Sequence, residues 1–302
     1  MKIARFRRVA AVGLAAITAL TATACGSSSD SSSDASSALP SVTADAALAD
    51  QVPQKFKDKG TLQVGTNATF APIEFMDADG KTIVGLDADL MSAVSARLGL
   101  KVQMNQAEFG TIILGVQSGK FDMGASGFTI NSERTQQVNM VQYMEAGLRW
   151  AVQSGNPQNV DTNDVCGRKI TVQRDTVAAE ELATKAAECT ANGKAAIEQI
   201  IEDDQSRATT DLNTGKADAM LADSPIVDYA VAQSNGVLEP LGNMYDAAPY
   251  GIVLASEDTE MADLVSKALD SLKADGGYQA ILDKWGNSDG GVDQFAVNPT
   301  VD

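Results

Sequence analysis

The sequence predicts an α/β protein with a largely parallel sheet. Short apolar strands alternate with helices along most of the chain, a pattern typical of strands joined by crossover helices. A weak internal repeat supports this prediction. Gln117–Ser126 is echoed by Asn213–Asp223, and each contains a helix end, Gly-Lys-x-Asp, a small apolar strand and then polar residues. Because ligands of parallel sheets bind beyond the carboxyl ends of the strands, we expect both units to deliver polar side chains to a binding site.

The individual elements are predicted in order along the chain. Thr61–Gly65 alternates like a short strand, and residues 75–83 are typical of a hairpin that turns at its Asp-Gly pair. A helix is predicted from Ala88 to Leu98, with Asp87 as its N-cap and Gly99 as its stop. The later elements are the strand Lys101–Met104, the helix Thr111–Ser118, the strands Asp122–Ala125 and Lys169–Gln173, a helix from about Ala178 to Cys189, and the helix Pro225–Ser234.

Residues 1–24 predict a lipoprotein signal peptide. They contain four basic residues and no acid, followed by an apolar run, Val9–Ala22, which is too short to be a stable span. The small residues before Cys25 resemble a lipobox, with Cys25 as the lipidated first mature residue; the alternative is a helix start with an incidental cysteine. Residues 25–51 begin with a Ser/Asp tract and predict a disordered tether. We therefore expect a chain that is lipid-anchored at the extracytoplasmic face of the cell membrane and does not span it.

Composition limits the classes of function. The net charge is −17, and the predicted leader contributes four of the positive charges, so the remainder is more acidic still. This balance argues against nucleic acid and against flat docking on anionic lipid. The chain has no histidine, so we expect no metal site, and no cofactor is expected. The ordered remainder, about 240 residues, is long enough for two modest domains or one large one.

Two cysteines remain if Cys25 carries lipid. Cys166 precedes the strand Lys169–Gln173, and Cys189 ends the helix that follows it. A strand and an antiparallel helix can bring these ends together, and an oxidising compartment would oxidise the pair. We expect a disulfide; two unrelated buried thiols are the alternative.

Arg134 is the leading candidate for a binding residue. It follows the end of a short apolar strand at Ser126, Gly127 and Thr129, and hydroxyls, free backbone N–H groups and a guanidinium together suit a carboxylate. The alternative is a surface arginine on a first helical turn. In the second repeat unit Asp223 occupies the corresponding place and suits an ammonium group, although it could instead be the N-cap of the following helix. An anion receptor opposite a cation receptor predicts a zwitterion, and so an α-amino acid.

An ordered set of segments resembles the family 3 bacterial extracellular solute-binding proteins, the receptors of polar amino-acid ABC importers. The segments are Gly65–Phe75, Gly85–Leu90, Ser126–Ile130 with Glu133-Arg134, Ala217–Asp223, Pro249–Ile252 and the terminal helix from Gly277 to Trp285, within a match from about Gly60 to Trp285. The resemblance implies a two-lobe periplasmic-binding-protein-like fold of type II, with two parallel-rich sheets joined by a two-strand hinge. It places lobe 1 at residues 52–147 with 249–294, lobe 2 at 148–248, and a tail at 295–302. It also implies a monomer that binds an amino acid and delivers it to an ABC transporter permease, not an enzyme.

The resemblance also implies roles for individual residues. Phe70 matches the aromatic residue that stacks on the ligand side chain, and Asn67 lies where the family often has an acid that reads that side chain. Three residues match backbone and hydroxyl contacts to the ligand: Ser126, Gly127 and Thr129. Arg134 and Thr176 match contacts to the ligand carboxylate, and Asp223 matches the acid that binds its ammonium group. The segment Arg174–Val177 departs from the family's Gly-Thr-Thr pattern, with Asp175 in place of glycine. This departure either weakens the second lobe's grip on the carboxylate or leaves Arg174 to compensate.

The side chain of the ligand is only partly constrained. We rank neutral polar and acidic ligands ahead of cationic ones, because Asn67 is neutral and Glu74 could equally face the hinge or solvent. Two alternative functions remain. One is a cyclohexadienyl-dehydratase-like enzyme on the same scaffold, for which only carboxylates such as Glu74 could serve as acid or base. The other is a sensor lipoprotein that hands its amino acid to no permease.

Overall fold

The computed structural model describes residues 39 and 41–301 of the chain. Its strands are β1 Thr61–Thr66, β2 Thr69–Phe70, β3 Glu74–Met76, β4 Ile83–Val84, β5 Lys101–Gln106, β6 Met123–Gly124, β7 Val138–Gln153, β8 Lys169–Gln173, β9 Glu198–Glu202, β10 Ala219–Asp223 and β11 Leu238–Ala255. Its α-helices are α1 Ala46–Ala49, α2 Gln54–Lys59, α3 Leu86–Arg97, α4 Ile112–Gln117, α5 Ser132–Thr135, α6 Val177–Ala191, α7 Gln205–Asn213, α8 Ser224–Gln233, α9 Thr259–Ala274 and α10 Gly277–Lys284.

Two parallel groups of strands are joined through two long antiparallel strands. The hydrogen-bonded order is β5-β1-β6-β11-β7-β10-β8-β9. Strand β1 is parallel to β5 and β6, and β8 is parallel to β9 and β10. Strands β7 and β11 pair antiparallel over most of their lengths, 16 and 18 residues, and so run through both groups. We call the side with β5, β1 and β6 the first half of the sheet, and the side with β10, β8 and β9 the second half.

The predicted α/β class and the hinge of two strands are confirmed, with one refinement. Because β7 and β11 hydrogen-bond to members of both halves, the two parallel parts form one continuous eight-stranded mixed sheet. A separate three-stranded sheet, β2-β3-β4, contains the predicted hairpin.

Helices cover the first half of the sheet with their apolar faces. Helix α3 packs against α9 and α10, and α9 packs against β7. Leu90 and Val94 of α3 and Leu269 of α9 are almost fully buried. Burying each side chain of this size stabilises the fold by roughly 1.5–3 kcal/mol. This layer of helices therefore holds the strands of the first half in place.

The predicted disulfide is present. Cys166 and Cys189 are bonded, with their Cα atoms 5.6 Å apart. The bond ties the loop before β8 to the last turn of α6, and Cys189 packs in the apolar cluster of the second half. Closing a loop of this length stabilises the fold by about 3 kcal/mol in the chain-entropy model.

The predicted disordered tether is wrong for residues 41–51. Helix α1 forms there because the Asp45 carboxylate accepts from the backbone N–H groups of Ala47 and Leu48, and Leu48 is buried in the large apolar cluster. The predicted signal peptide, Cys25 and the earlier part of the tether lie outside the described residues. Between residues 41 and 301, the helices are each too short or too polar to cross a membrane.

Residues 295–301, expected to be a tail, pack against strand β7 and helix α10. Phe295 is buried and its ring meets that of Tyr278 edge-on at 5.0 Å. Val297 forms a β-bridge with Val141, and the Asn298 carboxamide oxygen accepts from the backbone N–H of Met140. Apolar burial and backbone pairing thus hold this segment in place.

Candidate functional site

The site lies where the two halves of the sheet meet. Strands β1 and β6 of the first half lead into Asn67 and Ser126, while β8 and β10 of the second half end at Gln173 and Asp223. Arg134, on the short helix α5, completes the group. The repeat therefore correctly predicted that polar residues follow the strands of both units.

Arg134 is a buried cation, 8% exposed, and not a surface arginine. The side chain of Asn131 accepts from the Arg134 backbone N–H and so caps the helix that positions it. The guanidinium donates through Nη1 to the Thr129 carbonyl at 2.8 Å and through Nη2 to the Asp175 carbonyl at 3.3 Å. Burial lowers its pKa, an effect opposed by nearby carboxylates, but a guanidinium keeps its charge in proteins. Within residues 41–301 it forms no salt bridge, so it suits an anion.

Asp223 faces the same site from the second half. It stands at the N-cap position of α8, but its side chain makes no capping hydrogen bond, so the N-cap alternative is not realised. Instead its Oδ2 accepts from the Tyr250 hydroxyl at 2.5 Å. Burial raises the pKa of this carboxyl to about 6, while the Tyr250 hydrogen bond and the Arg134 charge act in the opposite direction. A buried carboxylate in these surroundings is suited to an ammonium group.

Ser126 and Gly127 form the floor of the site. The Ser126 hydroxyl accepts from the backbone N–H of Asn67 at 3.0 Å and donates to Glu74 Oε1 at 2.9 Å. Gly127 has φ +56°, and a Cβ there would lie 3.1 Å from the Phe70 ring. Both the backbone conformation and the close approach of the aromatic ring therefore favour glycine at this position.

Asn67 joins the two halves. Its carboxamide donates to the Ala107 carbonyl, and its Oδ1 accepts from Thr69 at 2.6 Å and from Gln173 Nε2 at 3.2 Å. Sequence reasoning missed Gln173, although its place at the end of β8, directly before the Arg174 departure, was a signal that could have found it. Gln173 Oε1 is buried and has no hydrogen-bond partner among the described residues.

Glu74 and Asp87 form a buried acidic pair that the sequence reasoning did not recognise. Glu74 is fully buried, so the expectation that it could face solvent is wrong. Asp87 is not an N-cap, because α3 begins at Leu86; its carboxylate accepts from the Tyr143 hydroxyl at 2.6 Å and the Gly127 N–H at 3.1 Å. Burial and the Asp87 charge raise the pKa of Glu74 well above its usual value, and burial raises that of Asp87 to about 6. Glu74 Oε2 has no partner among the described residues.

The segment that departs from the family pattern lies partly outside the site. The Arg174 side chain is about half exposed and pairs with Asp203 at 2.8 Å, so the structure does not bring this predicted ligand-binding residue to the others. Asp175 has φ +62°, the left-handed conformation that explains the glycine expected there, and its carbonyl accepts from Arg134. The Thr176 hydroxyl donates to the Gln173 carbonyl and caps α6 by accepting from the Ala179 N–H.

A cavity of about 400 Å³ opens at the outer side of Arg134. Phe109 and Phe128 stack with ring centroids 4.6 Å apart and stand 5.6 and 5.5 Å from the guanidinium carbon. Asp175 and Glu180 line its other side. The cavity gives solvent a path to the buried guanidinium.

Several known proteins are similar to this chain in sequence. Residues 62–288 match the family of bacterial extracellular solute-binding proteins, family 3. The chain is 36% identical over 248 residues to the arginine-binding protein ArgT of Corynebacterium glutamicum, covering 82% of this chain and 81% of that one. It is 26% identical over 231 residues to a putative ABC transporter arginine-binding protein of Escherichia coli, covering 74% and 90%.

A solved structure shows the same architecture. An ancestral arginine-binding protein bound to arginine superposes with a TM-score of 0.69 and 34% identity, covering 75% of this chain and 98% of that one. An ancestral arginine-binding protein bound to glutamine superposes with a TM-score of 0.69 and 34% identity, covering 76% of this chain and 98% of that one. The family match spans most of the chain and both halves of the sheet, so the chain belongs to the family 3 bacterial extracellular solute-binding proteins.

Proposed function

We propose that this protein is an extracytoplasmic receptor that binds an amino acid between the two halves of its sheet. The proposal rests on one observation. The buried Arg134 guanidinium has no carboxylate partner within residues 41–301, and it lies in the same site as the buried Asp223 carboxylate. A zwitterion supplies the missing charge to each group. Charge-assisted hydrogen bonds contribute roughly 1.5–3 kcal/mol each, and a few of them reach the free energy of micromolar binding, about −8 kcal/mol.

We propose that the two halves act as lobes that close on the ligand, with residues 52–147 and 249–294 in one lobe and 148–248 in the other. Strands β7 and β11 are suited to be the hinge because they pass through both halves. Direct contacts already bridge the halves at Asn67–Gln173 and Arg134–Asp175. In the closed form, these contacts and the contacts to the ligand would together hold the two lobes against each other.

We propose that the receptor is lipid-anchored through Cys25 and delivers its ligand to an ABC importer permease. The leader and the lipobox-like sequence support the anchor. The names of related binding proteins of ABC transporters support the partner. The sensor alternative shares the ligand and differs in lacking a permease, so transport by a cell carrying the receptor, and its loss on deletion, separates the two.

A cationic amino acid, L-arginine, is the ligand we propose, which reverses the ranking made from the sequence. That ranking rested on the neutral Asn67 and did not count the buried Glu74–Asp87 pair. A hydrogen-bond chain runs from Glu74 through Ser126 and Asn67 to Gln173. Its Glu74 end lies beside a second buried carboxyl, and the buried Gln173 Oε1 at its other end has no partner among the described residues. A guanidinium offers five donors and no acceptor. The 34–36% identical arginine-binding relatives support the same choice.

A thermal-shift panel of the twenty amino acids, followed by calorimetry, tests the receptor function. We expect stabilisation by L-arginine, weaker stabilisation by L-glutamine, and loss of binding in Arg134→Met with an unchanged circular dichroism spectrum. Arg174→Met is the matched control, because that arginine lies outside the site, and it should bind as the wild type does. No stabilisation by any amino acid, or wild-type affinity in Arg134→Met, would contradict the proposal. Turnover of prephenate or arogenate would instead support the enzyme alternative.

A further inference from the structure

We propose that Tyr250 is a positioning residue of this site, holding the Asp223 carboxylate in the orientation in which it receives the ligand ammonium. The inference rests on the proposed amino-acid receptor function. It concerns a residue that does not need to touch the ligand itself.

The geometry ties Tyr250 to both halves of the site. Its backbone lies on β11 opposite Met144 of β7 and forms a β-bridge with Thr129. Its ring lies beneath Gly127, where a Cβ would come within 3.3 Å of it. Its hydroxyl donates to Asp223 Oδ2 at 2.5 Å. Tyr250 therefore links the residues that would receive the ligand carboxylate to the residue that would receive the ligand ammonium group.

Asp223 needs such a partner because its own helix does not supply one. The side chain makes no capping bond to α8, although it occupies the capping position. Hydrogen bonding to one carboxylate oxygen fixes the side-chain rotamer and leaves the other oxygen for a second donor. Within residues 41–301, Oδ1 accepts no hydrogen bond, so this oxygen is available to an ammonium group.

The charges around the pair come from several elements. Arg134 on α5 attracts the Asp223 carboxylate. Glu74 on β3 and Asp87 on α3 both act electrostatically on the Tyr250 hydroxyl, and Tyr143 on β7 lies with its ring centroid 6.1 Å from that of Tyr250.

Glu180 on α6 acts electrostatically on Arg134. Arg149 lies on β7 and pairs with Ala222 in the sheet. Its side chain donates a hydrogen bond to Asp228.

The Tyr250 hydrogen bond favours the ionised form of Asp223, so removing it has a defined sign. In Tyr250→Phe the carboxyl pKa rises above its wild-type value of about 6. The ionised fraction then falls sooner as the pH is lowered. A merely structural role for the Tyr250 ring predicts an affinity loss that does not vary with pH.

The first measurement is a carbon-13 carboxyl titration by NMR of the ligand-free protein, with Asp223→Asn used to assign the resonance. We expect the Asp223 pKa to be about one unit higher in Tyr250→Phe than in the wild type. Tyr245→Phe is the matched control, because it removes a hydroxyl from the same strand. The Tyr245 side chain packs against the apolar cluster of the second half, which does not include Asp223. An unchanged Asp223 pKa in Tyr250→Phe overturns the inference.

The second measurement is calorimetry with L-arginine at two pH values. We expect the ratio of wild-type to Tyr250→Phe affinity to grow about tenfold from about pH 8 to about pH 5, for a shift of one pKa unit. A ratio that stays constant overturns the positioning role. If the wild type binds none of the twenty amino acids, the receptor function fails. In that case a raised Asp223 pKa in the NMR titration still supports the pairing of Tyr250 with Asp223.

Discussion

At the scale of single residues, we expect Glu74 to make binding of the proposed ligand, L-arginine, dependent on pH. Its carboxyl is fully buried beside Asp87, and burial and the Asp87 charge raise its pKa well above the usual value. An opposite charge within hydrogen-bond reach favours the ionised form of a carboxyl. Binding of a guanidinium at Glu74 should therefore lower this pKa, and the affinity for L-arginine should rise with pH through the range in which Glu74 ionises.

Calorimetry in two buffers of different ionisation enthalpy measures the proton. Over a series of pH values we expect L-arginine to release more protons than L-glutamine does, up to about one at the pH where Glu74 is protonated in the free protein. In Glu74→Gln this difference should vanish, and L-arginine affinity should fall roughly 10- to 100-fold with L-glutamine affected less. Glu145→Gln removes an exposed carboxyl from β7 and serves as the control. Equal proton release for the two ligands in the wild type would show that Glu74 does not receive the side chain.

At the scale of elements, helix α7 is capped from across the site. Its N-cap residue, Asp204, makes no side-chain cap, and the first helical N–H, that of Gln205, donates instead to Thr69 Oγ1 at 3.2 Å. The Thr69 hydroxyl in turn donates to Asn67 Oδ1. A helix of the second half thus obtains part of its cap from the first half, and we expect this hydrogen bond to favour closure.

Thr69→Val should weaken L-arginine and L-glutamine binding by the same factor, about 2- to 12-fold for one net hydrogen bond. The two ligands are affected equally because the bond acts on closure, and the ratio of their affinities is unchanged. Small-angle scattering should show a larger radius of gyration for the variant at subsaturating ligand. Thr82→Val is the control, since among the described residues that hydroxyl bonds only to Asp79, in an exposed hairpin. A changed affinity ratio would instead place Thr69 in contact with the ligand.

The elements were largely predictable from the sequence, and the contacts between them were not. Periodicity and turn residues gave the hairpin, the helix α8 and the strands β8 and β10 to within a few residues. Arg134 and Asp223 were predictable because each follows a strand of a repeat unit. Glu74, Asp87 and Gln173 were not, because their roles depend on long-range pairing across the sheet, and an acid at a helix start reads as a cap.

At the scale of the whole molecule, the buried acids should shape stability against pH. Burial raises the folded-state pKa of Asp87 and Asp223 to about 6 and raises that of Glu74 well above its usual value. A carboxyl whose pKa is raised on folding stabilises the protein fully below its unfolded pKa, about 4, and that stability is lost as the pH rises through the folded pKa. The high net negative charge acts in the same direction, because self-repulsion grows as the acids ionise.

The free energy of unfolding, measured by urea denaturation, should therefore fall as the pH rises from about 4 to about 7. Asp223→Asn isolates one contribution: it should remove up to about 3 kcal/mol of this fall, because a shift of about two pKa units is worth that much. Saturating L-arginine should also flatten the curve, since the ligand ammonium compensates the ionised Asp223. Self-repulsion among surface acids changes little on replacing one residue. A fall of the same size in Asp223→Asn and wild type would therefore mean that Asp223 ionises as easily in the folded protein as in the unfolded chain.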